Sequence, residues 1–124
     1  MDAAVKHALD AINTIKINPS AHEFDIHALV GVALSNEGIE FKHEARLAPR
    51  LRVDFLTSEG VAIEVKQNKP VRSLLLKQIG AYLSCEQVLC IIVVTQKSVR
   101  LPDKINNKPV YVSALDRLWG IALP

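Results

Sequence analysis

The sequence predicts an α/β domain: a central mixed β-sheet flanked by helices. Three observations carry this. Residues 2–17 and 20–35 repeat apolar side chains at helical spacing, and residues 39–66 change to strand spacing with two turn signals inside. A third helical stretch, residues 71–84, is followed by the apolar run Val88 to Val94, which reads as a buried central strand.

Each element has a local reason. Val5, Ala8, Leu9, Ile12 and Ile15 make one helical stripe, with Asp2 as its cap and Asn18-Pro19 as its break. Ser20-Ala21-His22-Glu23 fits a capping box for a second helix through Ile26, Leu29, Val30 and Ala33, which Asn36-Glu37-Gly38 stops. Ile39, Phe41, Ala45 and Leu47 then alternate with Glu40, Lys42, Glu44 and Arg46, as in a half-buried strand. Ala48-Pro49-Arg50 turns the chain into a second strand. Ser58-Glu59-Gly60 turns it into a third, with Gly60 at the left-handed position of a three-residue hairpin loop. Asn68-Lys69-Pro70 leads into the helix striped by Leu75, Ile79 and Leu83. After the central strand come a polar loop, a short strand at Val110–Val112 and a terminal helix from Ser113, whose Leu115, Leu118 and Trp119 close a core or form a dimer patch. The order is α-α-β-β-β-α-β-β-α. It makes one domain over residues 1–124, with an N-terminal helix (1–18) appended to a core of residues 20–112.

With 124 residues, the chain buries a core without disulfides or structural metals. At 49% hydrophobic and 23% charged it has globular composition. A net charge of +2 argues little for a nucleic-acid partner, but local clusters say more. Lys66, Lys69, Arg72 and Lys77 follow the hairpin, and Lys97, Arg100, Lys104 and Lys108 occupy the late loop with Asp103 alone opposing them. Cys85 and Cys90 read as small buried hydrophobes rather than a zinc site. His7, His22, His27 and His43 show no metal-ligand spacing with one another, although His27 lies one turn beyond Glu23, and read as surface or boundary residues. Charges at the N-terminus exclude a signal peptide, and the longest apolar run is too short to span a bilayer. The expectation is a soluble, cytoplasmic protein with no membrane partner.

The hairpin carries the chemistry. A three-residue loop at Ser58–Gly60 sets Asp54 opposite Glu64, Arg52 opposite Lys66, Phe55 opposite Ile63 and Val53 opposite Val65. One face is then apolar and the other bears two carboxylates beside a lysine. Like charges gain nothing by facing each other unless a cation joins them. A similar turn at 48–50 brings Glu44 opposite Asp54 and Ala45 opposite Val53. Phosphodiester hydrolysis needs an in-line water and stabilisation of phosphoryl and leaving oxygens, which a hard divalent cation on carboxylates supplies. The Val65 carbonyl is a natural extra ligand, and Lys66 projects from the face of Glu64 to hold the attacking water or neutralise charge.

Asp54, nine intervening residues and then Glu64-Val65-Lys66 resembles the PD-(D/E)xK nuclease superfamily, and the α-β-β-β-α-β order of residues 20–95 resembles its restriction-endonuclease-like core. Gln78-Ile79-Gly80-Ala81-Tyr82 is similar to the Q-x-x-x-Y motif of the RecB-like branch. Val53 stands where the naming proline would be, and the four cysteines of the iron–sulfur members are absent. The resemblance implies metal ligands at Asp54, Glu64 and Val65, auxiliary ligands at Glu23 and Glu44, a catalytic Lys66, and Gln78 and Tyr82 beside the active centre. It implies a magnesium-dependent deoxyribonuclease, with Mn2+ able to substitute, contacting DNA through Lys69, Arg72, Lys77, Lys97 and Arg100. The alternatives are a dimeric Holliday-junction-type resolvase and a non-catalytic nucleic-acid-binding module on the same fold. A small catalytic domain also leaves room for homodimerisation or a larger nucleic-acid-processing partner.

Overall fold

In the computed structural model, which describes residues 2–16, 23–67 and 70–115, three helices pack on the two faces of one mixed sheet. The elements are α1 (Ala3–Ile12), α2 (Glu23–Asn36), β1 (Phe41–Ala48), β2 (Leu51–Thr57), β3 (Val61–Lys66), α3 (Arg72–Leu83), β4 (Cys90–Thr95), β5 (Lys104–Ile105) and β6 (Lys108–Ala114). The strand order is β1-β2-β3-β4-β6-β5. The pairs β1–β2, β2–β3 and β5–β6 are antiparallel, whereas β3–β4 and β4–β6 are parallel. Parallel pairing of β3 with β4 requires a crossover, which α3 provides. Helices α1 and α2 cover one face, where Ile12, Ile26, Val30 and Leu34 meet Phe55, Ile63 and Ile92. Helix α3 covers the other, where Leu75, Ile79, Tyr82 and Leu83 meet Val53, Ala62, Ile91 and Val93.

Several boundaries differ from the sequence expectation. Helix α1 ends at Ile12 rather than residue 17, because Asn13 caps it and the Thr14 hydroxyl donates to the Ala11 carbonyl at 2.7 Å. The capping box at residues 20–23 begins outside the described residues. In α2, Leu34 joins the buried stripe, while Leu29 is exposed. Strand β6 runs through Ser113, which is buried and donates to Asn13 Oδ1 at 3.2 Å, so no helix starts there. Leu118 and Trp119 lie outside the described residues. Strand β5, at Lys104–Ile105, has no counterpart in the sequence expectation, which places a polar loop there. It pairs with β6 through Asn106 and Asn107, both at positive φ (53° and 64°), the backbone of a tight hairpin turn.

The hairpin registers hold near the turns: Phe55 pairs with Ile63, Ala45 with Val53, and Gly60 sits at φ 87°. Regular β2–β3 pairing covers Phe55–Ile63 and Leu56–Ala62 and does not extend to the expected Val53–Val65 and Arg52–Lys66 rungs. The turn after β1 is tighter than expected, with a register shift between Arg46 and Ala48. The expected single apolar face of β2 does not hold. Val53 belongs to the core under α3, whereas Phe55 belongs to the core under α2. Residues two apart share a face in a regular strand, so alternation breaks at Asp54. The partner strand breaks at the matching place. His43 stacks on Phe55 and Ala45 lies in the α3-side core, with Glu44 between them at φ 52°. Because both strands break together, their register survives.

Candidate active site

Regular pairing of β2 with β3 covers Phe55–Ile63 and Leu56–Ala62. At the next rung two carboxylates bond across the strands. The Asp54 N–H donates to Glu64 Oε1 at 3.1 Å, and the Val65 N–H donates to Asp54 Oδ2 at 2.7 Å. Each acid thereby caps the other strand's backbone, a geometry that needs a side-chain oxygen acceptor at both positions. Glu64 is buried, Asp54 is half-buried, and the pair lies between α2 and α3.

From the α3 side, Glu64 Oε2 accepts hydrogen bonds from Gln78 Nε2 (3.1 Å) and the Tyr82 hydroxyl (3.1 Å), and lies 3.2 Å from Lys66 Nζ. Gln78 also donates to the Tyr82 oxygen at 2.8 Å, and that hydroxyl reaches the Arg52 carbonyl at 2.9 Å. A single phenolic proton serves one of its two acceptors at a time. The i,i+4 spacing of Gln78 and Tyr82 sets both on the helix face that meets β2 and β3. Burial, and then the neighbouring Asp54 charge, push the Glu64 carboxyl up to about 7 against the pull of Lys66. Burial and the same carboxylates raise the Tyr82 phenol well above its ordinary range, so it stays a neutral donor.

From the α2 side, His27 Nε2 lies 3.1 Å from Asp54 Oδ2. His27 is thus a boundary residue, as the sequence reading allowed, with a contact to the acid pair that its spacing did not assign. His27, at 22% side-chain exposure, reaches the first acid of the motif as Gln78 and Tyr82 reach the second. Its placement one turn beyond Glu23 on α2 was the available signal.

Asp54, Glu64, Val65, Lys66, Gln78 and Tyr82 thus come together. Glu44 falls between the His43–Phe55 and Ala45–Val53 pairs without a regular pair of its own; it is exposed, has a left-handed backbone, and lines a groove of about 870 Å³ with His27, His43 and Phe55. Glu23 opens α2, and its side chain lies outside the described residues, as does Lys69. Lys77 shares a second groove, about 520 Å³, with Lys66, Gln78 and Leu74. Arg72 Nε donates to the Arg100 carbonyl at 2.9 Å, and the Gln96 N–H donates to the Lys66 carbonyl at 3.3 Å, so the loop after β4 borders the end of β3. Lys97 and the Arg100 side chain are exposed there. Lys108 is not part of that basic surface. Its Nζ donates to the Cys85 and Val88 carbonyls at 3.0 and 2.6 Å, satisfying the turn after α3. Cys85 and Cys90 are free thiols, and burial pushes the Cys90 thiol up to about 11.

Among the described residues, no group of three or more His, Cys, Asp or Glu side chains converges in metal-binding fashion. The donor chemistry nonetheless suits a hard cation: two carboxylates on adjoining strands, with Asp54 Oδ2 already oriented by the Val65 N–H and His27. Magnesium is commonly held by one or two carboxylates and completes its shell with water and phosphate oxygen. No helix among the described residues is long and apolar enough to cross a membrane. No protein-family model, no curated protein and no solved structure matches the chain.

Proposed function

We propose that this protein is a metal-dependent DNA nuclease with a restriction-endonuclease-like core. The observation that carries the reading is the cross-strand lock of Asp54 and Glu64 where β2 and β3 stop pairing, with Lys66 Nζ 3.2 Å from Glu64. A magnesium ion bound there supplies Lewis-acid stabilisation of the phosphoryl and leaving oxygens. Asp54 and Glu64 would hold it, with the Val65 carbonyl as a further oxygen donor. His27 fixes the Asp54 carboxylate from one side, and Gln78 and Tyr82 fix Glu64 from the other. Lys66 orients the attacking water and offsets the charge that grows on the phosphoryl group. The exposed basic residues Arg72, Lys77, Lys97 and Arg100 meet the sugar–phosphate backbone.

The test is cleavage of linear, circular, single-stranded and four-way-junction DNA with Mg2+ or Mn2+, against an EDTA control. Asp54→Ala and Lys66→Ala remove cutting by at least about a hundredfold while the circular dichroism spectrum stays native. Unchanged cleavage by both variants would reject this site. A folded protein that neither cuts DNA nor binds Mn2+ in calorimetry would instead be a binding module.

The resolvase alternative draws on one observation. Leu29 and Val32, 36% and 56% exposed, leave an apolar strip on the outer face of α2, the kind of surface a dimer covers. A dimer in solution with preference for four-way junctions over linear duplex would select it.

A further inference from the structure

Among the described residues, one buried side-chain polar atom has no hydrogen-bond partner: Oγ1 of Thr95, whose residue is 0% exposed. An orphaned buried hydroxyl costs roughly as much as a hydrogen bond contributes, so a protein keeps one at a loss unless it has a use. Its position suggests the use. Thr95 ends β4, pairing with Lys66 of β3 on one side and Ala114 of β6 on the other. Ile91 and Val93 of β4 face the α3-side core, so alternation puts Thr95 on that face too. Lys66, its register partner in a parallel pair, shares the face. Of the two flanking register partners, Lys66 alone has a polar side chain, and an ammonium group carries three donors for which a hydroxyl is an acceptor.

We infer that Thr95 is a positioning residue for Lys66, giving the lysine a second resting place beside the one it occupies on Glu64. In the metal-free protein Lys66 Nζ is drawn to Glu64 Oε2 at 3.2 Å. A divalent cation on Glu64 repels an ammonium from that oxygen, and Lys66 then needs another acceptor on the same face. Thr95 Oγ1 takes its hydrogen bond and keeps the ammonium beside the site instead of letting it swing into solvent. The hydroxyl is unpartnered without metal because its partner is held elsewhere. The inference rests on reading Lys66 as the catalytic lysine and Glu64 as a metal ligand.

The test compares Thr95→Val, which keeps the shape and deletes the hydroxyl, with Thr95→Ser, which keeps the hydroxyl. The ε-methylene signal of Lys66 is followed by NMR in 13C-lysine-labelled protein as Mg2+ alone is added. Wild type and Thr95→Ser are expected to move to one well-dispersed position, whereas Thr95→Val moves toward that of a freely exposed lysine. Metal-free Thr95→Val melts no lower than wild type, and its kcat for DNA cleavage falls roughly tenfold, the scale of one lost hydrogen bond to a charged group, with KM unchanged. A Lys66 signal that responds to Mg2+ identically in Thr95→Val and wild type overturns the inference and leaves the nuclease reading standing. Absence of any Mg2+ response of the Lys66 signal in wild type overturns both. A metal-free Thr95→Val protein that melts lower overturns the inference as well, because the hydroxyl would already have a partner.

Discussion

Glu64 concentrates the physical chemistry of the candidate site in one side chain. Burial and the facing Asp54 raise its carboxyl from 4.5 to about 7, so in the metal-free protein the proton binds the folded state more tightly than the unfolded one. The sign follows from linkage. This group's stabilising contribution is complete below pH 4.5, falls as pH rises and is gone above about 7. The span is on the order of 3 kcal/mol. Urea unfolding in EDTA should find wild type weaker near pH 8 than near pH 5, with Glu64→Gln flatter across the window and the more stable of the two near pH 8. A wild-type profile flat through this window would contradict the assignment. A cation competes with the same proton, so Mg2+ affinity should rise as pH passes 7. Asp54, Glu64, Lys66, Gln78 and Tyr82 were legible in the sequence because hairpin register and helix spacing are local rules. His27 and Thr95 were not. Their relation to the site depends on how α2 and β4 pack beside β2 and β3, and a histidine or a threonine alone says nothing of that.

At the scale of elements, the sequence rules succeeded wherever alternation stayed regular and failed where it broke. The strand count up to β4, the loop at Ser58–Gly60 and the α3 stripe follow from periodicity and turn chemistry. The change of face between Val53 and Phe55 does not, since a period-two reading assigns both to one side. It is visible only in the matched irregularity around Glu44, a non-glycine residue at φ 52°. The break has a consequence for the site. It lets one hairpin contribute apolar side chains to both cores while its carboxylates sit at the crossing between them. The hairpin loop is what fixes that crossing in register, and Gly60 is its least replaceable residue. Gly60 has φ 87°, and a Cβ added there would lie 2.9 Å from Leu89 Cγ and 3.2 Å from the Gln87 carbonyl. Gly60→Ala should therefore destabilise the fold by about 2 kcal/mol, combining left-handed strain with the clash. Urea unfolding measures it, and a loss under about 0.5 kcal/mol would show that the loop can adopt another conformation.

For the whole molecule, a net charge of +2 hides an asymmetry that topology creates. The ends of β3 and β4, the start of α3 and the loop after β4 meet in one region. The Arg72–Arg100 and Gln96–Lys66 hydrogen bonds hold them there, and Lys66 and Lys77 line one groove. Sequence spacing alone could not place Lys97 and Arg100 beside Lys66, because thirty intervening residues form a helix and a strand whose return position is a tertiary fact. If this region tracks a nucleic-acid backbone, its contribution is electrostatic and insensitive to sequence. Lys97→Ala and Arg100→Ala should each weaken binding to unrelated DNA duplexes to a similar degree. Each should also reduce the slope of log affinity against log salt by about 0.9. Lys108→Ala provides the contrast. Its ammonium is committed to the Cys85 and Val88 carbonyls, so its loss should lower stability by about 1–3 kcal/mol and leave the salt slope alone. Fluorescence anisotropy in EDTA over a salt series separates the two classes. A slope that Lys108→Ala changes as much as Lys97→Ala does would show that general charge, not this region, binds the DNA.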